Sequence, residues 1–517
     1  MQCKARVVYS LGVEIRVAAM PRVRYACRKL RSALSIVCVW HGEIDGRSKS
    51  ITSRFKATLA VTAGRLAGRA SVLSGRGGAT SLPGLVAAHI APDIAATLAA
   101  ELPHGSIVVA GTNGKTTTAA MLAAVLRADG LRPVHNRAGA NLLHGVASAL
   151  LAQAEPGGRL RAGPDAIGLF EADEAALPAI MRAVRPSLLV VTNLFRDQLD
   201  RYGELDGIAT RWRAAVAALP DAAGLVLNAD DPLVASLGAG AGRSVIYYGL
   251  DLPAGRLNRP PESADSISCR RCGALLDYAQ VYYGHLGHYR CPRCSWERPQ
   301  PTVRGCAAEP HGLDGSRLQA VVEDVAVTVE LRVPGLYNAY NALAALAIAY
   351  GRGLDVRRAP AALEEVRAAF GRAECVQVGG RDVWLLLVKN PTGCDEVLRL
   401  LAGLPAPLNL LAILNDNAAD GRDVSWIWDT AIEDVAGRLR RVTFAGTRAE
   451  DMALRFKYAG YGTGDSPIIR DPLAALDASV AATPAGAPLY VMTTYTAMLE
   501  VRRGLVRRGL LRHYLDE

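Results

Sequence analysis

Short apolar runs alternate with stretches of helical spacing along most of the chain. Ser106–Ala110 reads as a buried strand. After a glycine turn, Ala119–Leu126 places Leu122, Val125 and Leu126 on one helical face, and Gly130 closes it. Further strand-like runs follow at Ala166–Phe170, Leu188–Thr192, Gly224–Asn228 and Val245–Tyr248. Strands separated by helices predict a parallel sheet covered by helices. The apolar helix Tyr337–Gly351 closes this first domain. A second alternation begins near Phe370, with strands Val383–Val388, Leu408–Leu414, Arg441–Ala445 and Leu489–Met492. It predicts a second, smaller α/β domain. Upstream, Ile51–Arg69 reads as a basic amphipathic helix ended by Gly75–Gly78. From Pro260 to Pro301 the texture turns to Cys, Arg, Tyr and Gly, as expected of an insert.

Charge changes this picture at one end. The chain has 517 residues and a formal charge of +10. Residues 1–76 hold fifteen Lys and Arg against three Asp and Glu, a net of +12, which leaves −2 for residues 77–517. A near-neutral body argues against a nucleic-acid-binding core. The first fifty residues are expected to be a basic leader, either disordered or derived from a start codon placed too early. No apolar run approaches the ~18 residues of a membrane span.

Gly111-Thr112-Asn113-Gly114-Lys115-Thr116-Thr117 lies between the first strand and its helix. Glycines let backbone N–H groups approach a polyphosphate, and a helix N-terminus favours its charge. Lys115 would reach the β/γ-phosphates and Thr116 would hold Mg²⁺, so ATP is the expected ligand. Glu171 ends a strand, where a metal beside the nucleotide needs a hard oxygen.

Cys269-x-x-Cys272 and Cys291-x-x-Cys294 stand eighteen residues apart. Two such knuckles complete a tetrahedral S₄ site, which suits a structural Zn²⁺. A small insert with little apolar core needs such a cross-link. A third signal is the acid-rich loop Asn415–Asp429, which follows a strand at the sheet edge where α/β folds carry function.

The compressed phosphate loop resembles that of the Mur ligase family, which joins amines to carboxylates through acyl phosphates. Asn136, Gly139-Ala140-Asn141, Glu171, Thr192–Asp200, Leu227–Pro232, Asn338, Asn341 and Gly371-Arg372-Ala373-Glu374 resemble the family's later motifs in order. The resemblance implies an α/β fold with a Mur-ligase-type central P-loop ATPase domain over 51–355, carrying a Cys₄ zinc-ribbon insert over residues 262–300. A smaller Rossmann-like C-terminal domain covers 356–517. It also implies that Gly111, Thr112, Asn113, Gly114, Lys115, Thr116, Thr117, Asn228, Asp231 and Arg372 bind ATP. Lys115 and Glu171 are then catalytic, and Thr116 and Glu171 hold Mg²⁺. Two departures stand out: Gln198 replaces the family's metal-binding histidine, and no lysine occurs between Lys115 and Lys389.

The Asp423 loop, Lys389–Gly393, Gly446–Glu450, Tyr495-Thr496 and the zinc insert resemble the MurT-like branch, the ligase subunits of lipid II isoglutaminyl synthases. That branch also lacks the histidine. The resemblance implies amidation of the D-glutamate α-carboxylate in the lipid II stem peptide. Ammonia would come from a GatD-type glutamine amidotransferase partner, whose Cys-His pair Asp423 completes. It implies a cytoplasmic heterodimer working at the inner membrane surface, without nucleic acid. The competing expectations are an amino-acid-adding or folylpolyglutamate-type ligase, and a zinc-ribbon ATPase on nucleic acid.

Overall fold

The computed structural model describes residues 46–511 apart from 74–80, 137–138, 162, 198–204, 254–256, 258–259, 261–263 and 368–370. The leader up to residue 45, the Gly75–Gly78 stop, Gln198 and Phe370 therefore lie outside the described residues. The upstream helix runs Gly46–Leu73, longer at both ends than the sequence suggests. Its Ala57, Ala60 and Val61 are buried against the body.

Residues Lys56–Glu517 form one compact unit built on two main sheets. The strands of the first are β1 (Ser106–Ala110), β2 (Arg132–His135), β3 (Ala166–Ala172), β4 (Leu188–Val191), β5 (Gly224–Asn228) and β6 (Val245–Leu250), with β9 (Val303–Pro310), β10 (Ser316–Val322) and β11 (Val325–Leu331). Between them, β7 (Asp277–Tyr283) and β8 (Leu286–Arg290) form a separate antiparallel hairpin within the insert. The sheet order is β11-β10-β9-β6-β5-β4-β1-β3-β2.

The expected parallel sheet is present from β2 to β9, but β9, β10 and β11 extend it as an antiparallel meander. Sequence reading overlooked this part because short hairpin connections join strands of mixed polarity. Alternation along β1 explains the layers. Ile107 and Val109 enter one core, and Val108 and Ala110 enter the other, because successive side chains point to opposite faces. Helix Leu336–Gly351 is buried on nearly every side, and its alanines allow close packing against the sheet.

The second sheet joins β12 (Arg372–Val378), β13 (Arg381–Leu387), β14 (Leu408–Ile413), β15 (Leu439–Ala445) and β16 (Leu489–Thr493) in the order β12-β13-β16-β14-β15. Only β12 runs antiparallel to its neighbour. Both sheets present loops after their parallel strands to one shared cavity, where such folds hold ligands.

Candidate active site

The phosphate loop leaves β1 at Gly111 and enters helix Lys115–Ala128 at Gly114. Both glycines have left-handed φ, +141° and +85°. A Cβ on Gly111 would fall 2.0 Å from Thr192 Oγ1, and one on Gly114 would fall 2.3 Å from Asn341 Oδ1. Only glycine fits at either position. No side chain caps the helix, so its first N–H groups remain for an anion.

The segment after β4 clamps the loop. Asn113 N donates to Asn193 Oδ1 (2.8 Å), while Asn113 O accepts from Thr192 Oγ1 (2.9 Å) and Asn193 Nδ2 (3.0 Å). From below, Thr118 Oγ1 donates to Asn341 Oδ1 (3.1 Å).

Asn113, Gly114, Asn193 and Asn341 border a cavity of about 470 Å³. Its size suits a nucleotide-class ligand. Lys115 is buried, donates to the carbonyls of Gly111 and Thr112, and lies 3.4 Å from both Glu174 oxygens. Thr116 Oγ1 donates to Glu171 Oε2 (2.9 Å). The other oxygen, Glu171 Oε1, is buried 3.4 Å from His135 Nε2, and neither atom completes a hydrogen bond among the described residues. Burial alone would raise the Glu171 pKa. His135, Thr116 and Arg372 outweigh it and hold the carboxyl below the ordinary carboxylate range. An ionised carboxylate with one buried oxygen that completes no hydrogen bond, beside a threonine hydroxyl, fits a hard divalent cation.

The second sheet supplies the opposite wall. Arg372 lines it from β12. Lys389, just after β13, pairs with Asp197 and donates to Thr112 O (3.2 Å). Burial would lower the Lys389 pKa, but Asp197 and Glu174 outweigh it and hold the ammonium charged. Asn390 exchanges side-chain hydrogen bonds with Asn113 (3.1 and 3.4 Å) and caps helix Pro391–Ala402.

In the insert, the sulfurs of Cys269, Cys272, Cys291 and Cys294 all lie within 4.8 Å of one another. The Cys269–Cys294 and Cys272–Cys291 pairs are 3.4 and 3.5 Å apart. Four Zn–S bonds of about 2.3 Å in a tetrahedron set sulfurs about 3.8 Å apart, so the cluster fits such an ion.

The family model for the Mur ligase middle domain matches residues 109–269, and that for the MurT ligase C-terminal region matches residues 387–498. The lipid II isoglutaminyl synthase (glutamine-hydrolyzing) subunit MurT of Streptococcus pneumoniae is 34% identical over 468 residues, spanning 89% of this chain and 100% of its own length. The chain belongs to the MurT family of Mur ligases. The Staphylococcus aureus subunit MurT is 33% identical over 401 residues, 77% of this chain and 87% of that one. A pseudomurein peptide ligase type C from Methanothermus fervidus shares the fold, with a TM-score of 0.60 at 20% identity over 78% of this chain and 79% of that one.

Within this MurT-family fold, Thr112–Thr117, Glu171 and Arg372 line one cavity, and Gly111 stands just before that lining. Asn228 and Asp231 do not line the cavity. They stand one layer behind it. Asn228 Nδ2 donates to Thr192 O (2.9 Å). Asp231 accepts from Leu194 N (2.8 Å) and caps the short helix Pro232–Ser236. Both brace the segment that clamps the phosphate loop.

Asp423 is exposed and lines a smaller cleft of about 70 Å³, which shares Asp197 and Lys389 with the main cavity. Hydrogen bonds from Ser425 hold its carboxyl below the usual range. Glu174 in the cavity lining was not anticipated, and Lys389 and Asp197, although both fall in motifs the sequence singles out, were not expected to pair. The acid run Glu171-Ala172-Asp173-Glu174 was the available signal for the first. Nothing local signals a pair 192 residues apart. Among the described residues, no helix is long and apolar enough to cross a membrane.

Proposed function

We propose that this protein is the ligase subunit of a lipid II isoglutaminyl synthase. It activates the α-carboxylate of D-glutamate in the lipid II stem peptide with ATP and amidates it to D-isoglutamine. The observation that carries this reading is the shared cavity, which Lys115 and Thr116 on the helix after β1 and Glu171 on β3 line together with Arg372 on β12 and Lys389 just after β13. The family's phosphate loop and the MurT-type C-terminal region thus meet at one place.

A carboxylate is a poor electrophile until an oxygen becomes a leaving group. Attack of a carboxylate oxygen on the γ-phosphorus releases ADP and leaves an acyl phosphate. Ammonia then bonds to the acyl carbon, phosphate departs with the C–O electrons, and the nitrogen loses a proton to solvent. Lys115, Lys389 and Arg372 offset the charge that gathers on the phosphoryl oxygens. Thr116 and Glu171 would hold Mg²⁺, which supplies further charge neutralisation when bound. Gly111, Thr112, Asn113, Gly114 and Thr117 cradle the phosphates, while Asn228 and Asp231 brace that cradle.

A GatD-type glutaminase partner supplies the ammonia. Asp423 orients the partner's histidine and stabilises its cationic form. Its exposure and its cleft beside Lys389 support a role at such an interface. The four cysteines hold a structural Zn²⁺. The complex works in the cytoplasm at the inner membrane surface, where lipid II lies.

The test incubates the chain with ATP, Mg²⁺ and lipid II, with ammonium or glutamine, and with or without the partner. Mass spectrometry of the stem peptide should show a carboxylate converted to an amide. ATP consumption without amide formation would overturn the reading.

A further inference from the structure

The Cys₄ cluster and the nucleotide cavity are joined by a chain of buried contacts. Strand β8 runs directly into Cys291, while the far end of the hairpin, Tyr283 to His285, packs against Phe195. The His285 ring is fully buried 4.7 Å from the Phe195 ring, with Nε2 3.2 Å from Asp231 Oδ2. Neither ring nitrogen completes a hydrogen bond among the described residues. Tyr283 lies 5.9 Å from the same Phe195 and lines the cavity. At the base of the insert, Asp265 accepts from Arg196 N (2.8 Å) and pairs with its guanidinium. Three insert residues thus grip Phe195 and Arg196.

The gripped segment also holds the phosphate loop. Phe195 N donates to Thr112 Oγ1 (3.1 Å), and Thr112 Oγ1 donates to Phe195 O (3.1 Å). Thr112 N donates to Asn193 O (3.0 Å). The middle of the hairpin is anchored to the body, where Tyr282 Oη donates to Leu250 O (3.0 Å) and Gly287 N donates to Asp230 O (3.0 Å), while the cysteine-bearing end of the insert rests on a small cluster. Its own core is Leu276, Tyr289 and Trp296 around the cysteines, with Ala235 of the main body. A two-stranded hairpin is marginal without further support. Loss of the metal cross-link would loosen Asp265, four residues before Cys269, in its hold on Arg196, and would slacken the hairpin that carries His285 to Phe195.

We infer that metal occupancy of the Cys₄ cluster and nucleotide binding are coupled through Phe195 and Arg196, with His285 and Asp265 as positioning residues. This rests on reading the cluster as a metal site and the cavity as the ATP site. Coupling is reciprocal: the metal tightens nucleotide binding by the factor by which nucleotide tightens metal retention.

The test measures bound zinc by elemental analysis and ADP affinity, with Mg²⁺ present, by calorimetry. Samples are the native chain, the chain stripped of zinc and dialysed, the same chain reloaded with Zn²⁺, and the zinc-loaded variants His285→Ala and His285→Phe. Stripping should weaken ADP binding about tenfold, within the usual range of coupling, and Zn²⁺ should restore it. His285→Ala should retain zinc yet lose about the same affinity, and His285→Phe, which keeps a ring against Phe195, should recover most of it. A purely structural histidine would lower the melting temperature and leave affinity unchanged. Bound zinc with unchanged ADP affinity after stripping and in His285→Ala refutes the coupling alone. A native chain without metal refutes the reading of the cluster, and one that does not bind ADP refutes the reading of the cavity. If stripping unfolds the chain, the two variants decide.

Discussion

Lys389 Nζ pairs with Asp197 across the two sheets and donates to the carbonyl of Thr112 (3.2 Å). One ammonium group therefore ties the C-terminal sheet to the phosphate loop. Asp197 is buried, and its second oxygen has no hydrogen-bond partner among the described residues.

Lys389→Met should leave the Asp197 charge buried and unpaired. Removing one partner of such a pair costs about 3 kcal/mol, which thermal unfolding would register as a clear drop in melting temperature. Adding Asp197→Asn removes the stranded charge and should recover most of the stability. Amidation should stay low in the double variant, because the wall of the cavity still lacks its ammonium. Recovery of both together would mean that Lys389 serves stability alone.

Asp423→Asn keeps the size of the side chain and removes its charge. Glutamine-driven amidation should disappear, while ammonium-driven amidation survives. Comparing the two nitrogen sources in the reconstituted complex checks this. Equal loss of both would assign Asp423 to the ligase chemistry instead.

Gly114→Ala forces a side chain into left-handed backbone and places its Cβ 2.3 Å from Asn341 Oδ1. The helix entry must shift. Strain of this kind costs about 1–2 kcal/mol, and ATP affinity should fall by more than tenfold. Titration with a fluorescent ATP analogue gives the second number and a melt gives the first. Unchanged affinity would remove the loop from phosphate binding.

Stability should also respond to Asp395. Burial pushes its carboxyl up to about 6, against the Ala431 N–H (2.8 Å) and Arg399 that favour the charged form. A carboxyl whose folded pKa is raised binds more protons when folded, so stability falls as pH climbs from about 4 through about 6. Above that window Asp395→Asn, which can still accept from Ala431, should be more stable than the parent by up to about 3 kcal/mol. Denaturant melts of both chains across the window test it, and parallel curves would exclude Asp395 as the source.

The elements that carry the site were legible because their signals are local. A buried strand, a glycine turn and a helix start occupy consecutive residues, so Gly111–Thr117 could be read directly. The four cysteines stand close enough in sequence to show paired knuckles. The β9–β11 meander was not legible, because a half-buried antiparallel strand gives weak alternation and its hairpin partners carry the rest of the pattern. Asn228 and Asp231 illustrate a different limit. Their motif marks them as important, but only three dimensions separate a residue that lines a cavity from one that braces its lining.

The sequence by itself determined the phosphate loop, the cysteine cluster, the two alternating α/β patterns and the acid loop around Asp423. Each depends on residue type, spacing or period, which survive without a fold. Tertiary structure decided what those parts face. It set Glu174 against Lys115, His135 beside Glu171, Lys389 against Asp197 and His285 behind Phe195. Such pairings join residues far apart along the chain, and their geometry exists only after sheet order and packing have brought the loops together.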